Sequence, residues 1–318
     1  AVAATSAIGG FMIPALLKHN YDEKFTVGIM TTAPILGVII PPSIAMILYA
    51  MVSNDPLEAL FLTGFVPGLL IIVFMSLYAY FFCKRNEADT IPRPSFKELL
   101  ATMRESIWAL MLPVIIFGGI FSGAFTANEA AVVACVYALI VELFIYKTVR
   151  FRDVKKITVS SAVTSATLLI IVAGATCFGR LLTLEDIPGK ITEAVLAAID
   201  SPVMFLLAMN ILLLIVGMFM DIISATMILG PVFLPMLDAF DVNWMHFGLI
   251  LTVNLAIGYC TPPMGVSLYI TGAISNKNLI YVSKAVIPFI AIQIAVLFFI
   301  TYFPEAVLWM PRLMGFLE

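Results

Sequence analysis

Charge is what this chain lacks most. Only 12% of its 318 residues are Asp, Glu, Lys or Arg, about half the ~25% usual in soluble domains. Hydrophobic residues make up 62%, so water is excluded as the main solvent of the surface. A net charge of -3, with no basic stripe interleaved with aromatics, argues against a nucleic-acid partner. Histidine is nearly absent. His19 and His246 are the only two, each in an apparent polar connector, which excludes a histidine-held metal centre. The four cysteines, Cys83, Cys135, Cys177 and Cys260, stand far apart in apolar runs. They read as buried thiols, not as a disulfide framework or a zinc site. No HExxH, GxSxG or paired intramembrane acid occurs, leaving an intramembrane enzyme without a nucleophile, dyad or metal cluster.

What the chain has instead is long apolar runs, at about 25–53, 58–82, 107–123, 127–146, 158–182, 202–237, 247–273 and 280–303. Roughly 20 residues suffice for one crossing of a bilayer. Lys and Arg concentrate in three connectors: 18–24 (Lys18, Lys24), 84–105 (Lys84, Arg85, Arg93, Lys97, Arg104) and 147–156 (Lys147, Arg150, Arg152, Lys155, Lys156). The positive-inside tendency puts all three on the cytoplasmic side. The chain opens at Ala1 inside a small-residue apolar stretch with no charged leader before it. A fragment lacking its N-terminal part is therefore expected.

Five landmarks recur at one spacing of 221 residues: Gly9 with Gly230, Pro14 with Pro235, Gly37 with Gly258, Pro41-Pro42 with Pro262-Pro263, and Pro67 with Pro288. A gapless offset of this kind implies two copies of one unit. The connectors of the two copies differ in sign. Asp55 lies between the first crossings, whereas Asp238 and Asp241, and then Lys277, mark the corresponding places in the second copy. Opposite bias predicts opposite orientation, an inverted repeat. In such chains, Gly/Pro-interrupted segments at corresponding positions point to a secondary transporter with its substrate and ion site between the copies, although a repeated pore or scaffold unit would give the same symmetry.

The two double-proline segments, GVIIPP (Gly37 to Pro42) and GYCTPP (Gly258 to Pro263), sit within hydrophobic runs. Each pair removes two N–H donors and disfavours helix before it. Carbonyls released inside hydrocarbon need a partner: a bound Na⁺ is one solution, and a kink capped by neighbouring Ser or Thr is the other. Residues 202–237 are too long for one crossing, which predicts a re-entrant hairpin with Gly217 at its tip and Asp221 capping the returning helix. Asp221 is also the clearest acid in an apolar run, and an acid there is a functional candidate. By the repeat, Ala1 to Leu17 would be the returning limb of a first hairpin. Two stretches read either as surface helices or as helical linkers. One follows a Ser95/Glu98 capping box, with Phe96, Leu99, Leu100 and Met103 as its apolar stripe. The other follows Asp186 through Pro188, with Ile187, Ile191, Val195 and Ile199 in register. Thr126 and Glu129 form a further capping box, and Arg180, near the outer end of its span, could meet an anionic substrate but reads first as snorkelling to the headgroups.

The blocks GVIIPPSIAMILYAM, ALFLTGFVPG, SGAFTANEAAVVACVYAL, GMFMDIISATMILGPVFLP and HFGLILTVNLAIGYCTPPMG together resemble the large membrane subunit of tripartite ATP-independent periplasmic (TRAP) transporters. The resemblance covers nearly the whole chain. It implies an all-α polytopic membrane protein of the bacterial inner membrane, an inverted-repeat elevator transporter with two hairpins, broken helices and interfacial arm helices. It implies Na⁺-driven import of organic acids, a small TRAP membrane subunit and a periplasmic substrate-binding protein. Matching positions give a first Na⁺ site at Gly37, Ile40 and Pro42. A second lies at Gly217, Gly258, Thr261 and Met264, with Asp221 beside it. The family's first hairpin tip would precede Ala1, and Ala4 stands where an acid is expected, so half of the first site is unassigned and this fragment alone should not transport.

The resulting expectation is a Na⁺-coupled permease subunit for C4-dicarboxylate, sialic acid or another sugar acid, with substrate carboxylates meeting half-helix N-termini. Residues 1–53 and 201–276 would form the transport part. Residues 54–200 would supply scaffold and arm helices, and 277–318 a terminal scaffold helix and tail. A stand-alone Na⁺/dicarboxylate carrier and a non-transporting structural membrane subunit are the alternatives.

Overall fold

In the computed structural model, residues 2–86 and 95–317 are described, without the side chains of residues 2 and 3. Arg93 and Ala1, which entered the sequence reading, lie outside the described residues. The described structure is helical. In chain order the helices are α1 (Val2–Lys18), α2 (Glu23–Thr32), α3 (Leu36–Ile39), α4 (Ile44–Ser53), α5 (Leu57–Thr63), α6 (Phe65–Arg85), α7 (Phe96–Phe121), α8 (Ala127–Ile140), α9 (Phe151–Leu184) and α10 (Ile187–Ala198). They continue with α11 (Pro202–Phe219), α12 (Ile222–Ala239), α13 (Trp244–Gly258), α14 (Val266–Ser275), α15 (Leu279–Tyr302) and α16 (Glu305–Leu313). Among the described residues, 8 helical stretches are long and apolar enough to cross a membrane.

The spacing found in the sequence reappears in the backbone. Asp22 caps α2 by accepting from the Phe25 N–H at 2.7 Å, and Asn243 caps α13 by accepting from the His246 N–H at 3.1 Å. Each satisfies a donor that the first helical turn leaves over. Asn20 and Asp241, also 221 apart, both take the left-handed conformation just before these caps. Asn54 and Asn276 do so at the ends of α4 and α14, a position where Asn is tolerated because its short polar side chain bonds locally. Both α4 and α14 have 10 residues.

Packing divides the chain into two compact units, Ala1–Asp89 with Val172–Glu318, and Thr90–Ile171. In the larger unit the limbs and the helices beyond the breaks exchange partners: α1 packs on α14, and α12 on α4. The Cβ position of Gly9 lies 3.6 Å from Ile274, and that of Gly230 lies 3.1 Å from Val52, so the first landmark pair marks these two crossings. Helix α13 is the axis of the unit, buried from Met245 to Gly258 and packed on α11, α12, α15 and α4. The smaller unit is held by α7 against α8. There the hydroxyls of Tyr137 and Tyr146 donate to the carbonyls of Trp108 and Glu105 at 2.8 and 3.1 Å.

Several sequence expectations need correction. The first surface helix is not separate: its stripe (Phe96, Leu99, Leu100, Met103) begins α7, which runs unbroken through Pro113 to Phe121. No breaker stands between the amphipathic and apolar parts, so the helix propagates. Likewise 151–156 is no connector but the first turns of α9, whose 34 residues give about 51 Å of helix. The second amphipathic stretch does form its own helix, α10, packed on α12. His246 is not in a connector. It is 3% exposed in the first turn of α13, with its Nε2 2.8 Å from the Ile300 carbonyl oxygen. Of the cysteines only Cys260 is buried, while Cys135 and Cys177 are exposed. Lipid tails and a protein core are equally apolar, so hydrophobicity alone does not separate the two surroundings. Both expected capping boxes are present. Glu98 accepts from the Ser95 N–H at 2.7 Å, and Glu129 from the Thr126 N–H at 2.9 Å.

Candidate functional site

The first break lies between α3 and α4. A 3₁₀ turn over Ala33–Ile35 leads into α3, and the last helical bond runs from the Ile40 N–H to the Leu36 carbonyl at 2.8 Å. Ile40 then turns extended (φ -77°, ψ 131°). Pro41 and Pro42 have no N–H, so the Gly37 and Val38 carbonyls lose the donors a continuing helix would bring. Gly37 and Pro42 are exposed, and nothing lies within 4 Å of a Cβ built on Gly37. Helix resumes at Ile44, capped by the Ser43 hydroxyl.

The second break differs in how its carbonyls are met. Pro262 and Pro263 withhold donors from the carbonyls of Gly258 and Tyr259, yet the chain folds back to supply others. Thr261 N–H donates to Gly258 O at 3.0 Å, and Ser267 N–H to Tyr259 O at 3.1 Å. The Thr261 hydroxyl donates to Ile257 O at 2.8 Å. The Gly258 and Tyr259 oxygens each keep a further lone pair, whereas Ile257 O also accepts from the Cys260 N–H at 3.0 Å, so the capped-kink solution operates here without using up the acceptors next to the prolines. Met264 is exposed at the end of the break.

The hairpin meets the second break directly. A Cβ on Gly258 would fall 2.4 Å from the Gly217 carbonyl carbon and 2.6 Å from its oxygen. Only glycine permits this approach of two backbones. Gly217 is not the tip of the hairpin, as the sequence reading had it. Helix α11 continues to Phe219, and the turn falls on extended Met220 and Asp221. A glycine in an apolar run can mark a close contact as well as a turn, and here it marks the contact. Asp221 does cap α12 as expected, its Oδ2 accepting from the Ser224 N–H at 2.9 Å, and its side chain is exposed. The Tyr259 phenol meets the Ile222 backbone amide beside it. The hairpin turn, the glycine seam and the break thus share one place. The first break adjoins it: α3 packs on α13, and the Cys260 thiol donates to Thr31 O at 3.2 Å.

A family model described as "Tripartite ATP-independent periplasmic transporter, DctM component" matches residues 1–306. The chain belongs to the DctM family. It is 38% identical to the C4-dicarboxylate TRAP transporter large permease protein of Pseudomonas aeruginosa, over 98% of this chain and 73% of that protein. It is 37% identical to the isethionate TRAP transporter permease protein of Oleidesulfovibrio alaskensis, over 95% and 48%. The sialic acid TRAP transporter large permease protein of Vibrio cholerae is 33% identical over 98% and 73%. This DctM-family chain is therefore a permease subunit and not an enzyme, multi-pass in the bacterial inner membrane. DctM membership implies a small membrane subunit and a periplasmic binding protein as partners.

Sequence reasoning missed two residues beneath this seam, Asn210 on α11 and Asn254 on α13, both 0% exposed. The signal was present: a carboxamide near the middle of an apolar run is as costly to bury as an acid is conspicuous.

Proposed function

We propose that the chain is the substrate-carrying permease subunit of a Na⁺-coupled importer of small organic acids handed over by a periplasmic binding protein. The Gly217–Gly258 contact beside the Thr261-Pro262-Pro263 break carries this reading. It gathers carbonyl and hydroxyl oxygens from two helix ends into a region otherwise apolar, and hard alkali cations favour such oxygens. One Na⁺ would be held by the carbonyls of Gly37, Ile40 and Pro42. A second would be held by oxygens of Gly217, Gly258, Thr261 and Met264, with the uncommitted oxygen of Asp221. The donor set fits: carbonyls deprived of proline N–H groups stand at both breaks, and those of the second retain free lone pairs. The bound ion would supply positive charge that ties hairpin to broken helix and favours an anionic substrate. This chain's own part is to present the half-helix N-termini of α4, α12 and α14, whose N–H groups attract carboxylates.

The opposite charge bias of the two copies supports inverted orientation. The exchanged packing of α1 with α14 and α12 with α4 supports their joining in one transport part that moves as an elevator against a scaffold. Residues 1–53 and 201–276 would form its core. Relatives are named for C4-dicarboxylates, sialic acid and isethionate, so the acid would be selected mainly by the binding protein. The test is uptake into liposomes by the full-length complex, with labelled acids, with and without an inward Na⁺ gradient. Uptake that needs both the gradient and the binding protein supports the reading; uptake of equal rate in K⁺ alone overturns the coupling.

A further inference from the structure

Below the glycine seam runs a buried polar chain that joins three helices. Asn254 Nδ2 donates to Asn210 Oδ1 at 2.7 Å and to Ile250 O at 2.8 Å. Asn210 Nδ2 donates to Leu206 O at 2.9 Å and to the Thr301 hydroxyl of α15 at 3.2 Å. All three side chains are at most 1% exposed. Asn254 Oδ1 has no hydrogen-bond partner. An unmet buried acceptor costs about 1–3 kcal/mol, so this chain is a poor device for stability alone; apolar side chains of similar shape would serve as well.

Its placement suggests another use. Asn254 lies one turn before Gly258, and Asn210 two turns before Gly217, so α11 and α13 run side by side in the same direction. Apart from Asn210, the buried residues of α11 are Phe205, Leu206, Met209, Leu213 and Gly217, none of which carries a side chain able to fix an axial register on α13 by a strong hydrogen bond. A single buried Asn pair does define one, as its best-attested role in coiled coils is to fix register. We infer that Asn210 and Asn254 are positioning residues: their mutual hydrogen bond sets the depth of α11 on α13 and so brings Gly217 onto Gly258, tuning the affinity of the ion site above. Thr301 anchors the pair to α15. The inference rests on the Na⁺ reading given above.

The test is Na⁺-dependent melting of the purified full-length complex, titrated with NaCl against KCl at constant ionic strength. Asn210→Leu/Asn254→Leu removes both partners, so the melting temperature without Na⁺ stays close to that of the parent. The half-saturating Na⁺ concentration rises at least about fivefold, the lower end of typical coupling between sites. Asn254→Gln, which keeps the carboxamide but displaces it, raises it too and decides the matter if the double variant does not fold. A parent protein with no Na⁺-specific shift overturns the Na⁺ reading itself. A parent that responds, with either folded variant matching its half-saturation, overturns the positioning role alone.

Discussion

The thiol of Cys260 donates to the carbonyl oxygen of Thr31 at 3.2 Å, joining the break after α13 to the end of α2. Residues 229 positions apart thus share a hydrogen bond, with Thr31 near the end of α2 and Cys260 just beyond α13. Tyr49 makes a second link of this kind, its hydroxyl donating to Trp244 O at 2.9 Å.

Gly258→Ala tests the seam. Its methyl would lie 2.4 to 2.6 Å from the Gly217 backbone, where no flexible side chain can yield. Overpacking of this kind costs about 1–3 kcal/mol, and the variant should melt lower and lose its Na⁺ response. Gly217→Ala meets its nearest backbone atoms at 3.2 Å and should be the milder of the two. Equal, small effects in thermal melts would contradict the contact.

Asp221 has one oxygen on the cap and one uncommitted. Asp221→Asn keeps the cap and should leave Na⁺-free melting unchanged while weakening Na⁺ activation. Asp221→Ala loses the cap as well, at a cost of about 1 kcal/mol. Unaltered activation in the Asn variant would reduce this residue to its structural part.

Asp55 gives a pH dependence outside the spans. Burial pushes its carboxyl above the usual carboxylate range, only partly opposed by the Ser53 hydroxyl, and its Oδ2 has no partner. The folded state therefore holds this proton more tightly than the unfolded chain. Its stabilising contribution is full below the ordinary Asp pKa of about 4 and is lost as pH rises through the raised folded value. Asp55→Asn should melt above the parent at pH 7, with the gap closing as pH falls towards 4. Melting curves across that range check it.

Much of this was legible because proline, glycine and capping residues act locally. The missing N–H groups of Pro41-Pro42 and Pro262-Pro263 dictate breaks wherever the chain folds, and Thr126 with Glu129 makes the same box in any context. Asp221 capped α12 as expected for that reason. What escaped depends on what lies opposite. Gly217 in a run of Leu and Ile has the same sequence signature as a turn glycine until Gly258 is seen against it. The Asn210–Asn254 pair spans α11 and α13, and neither residue alone announces its partner. The lengths of α7 and α9 escaped because a charged stretch has the same sequence signature as a connector, although Lys and Arg extend helices well.

The central claim is that oxygens at the two breaks hold Na⁺. Equilibrium binding of radioactive Na⁺ to the purified full-length complex tests it most directly, with the parent beside Thr261→Val, which removes one oxygen at nearly constant shape. Saturable binding displaced by Na⁺ but not K⁺, and reduced in the Val variant, is the predicted result. No saturable binding in the parent, or binding untouched by the substitution, would contradict the account.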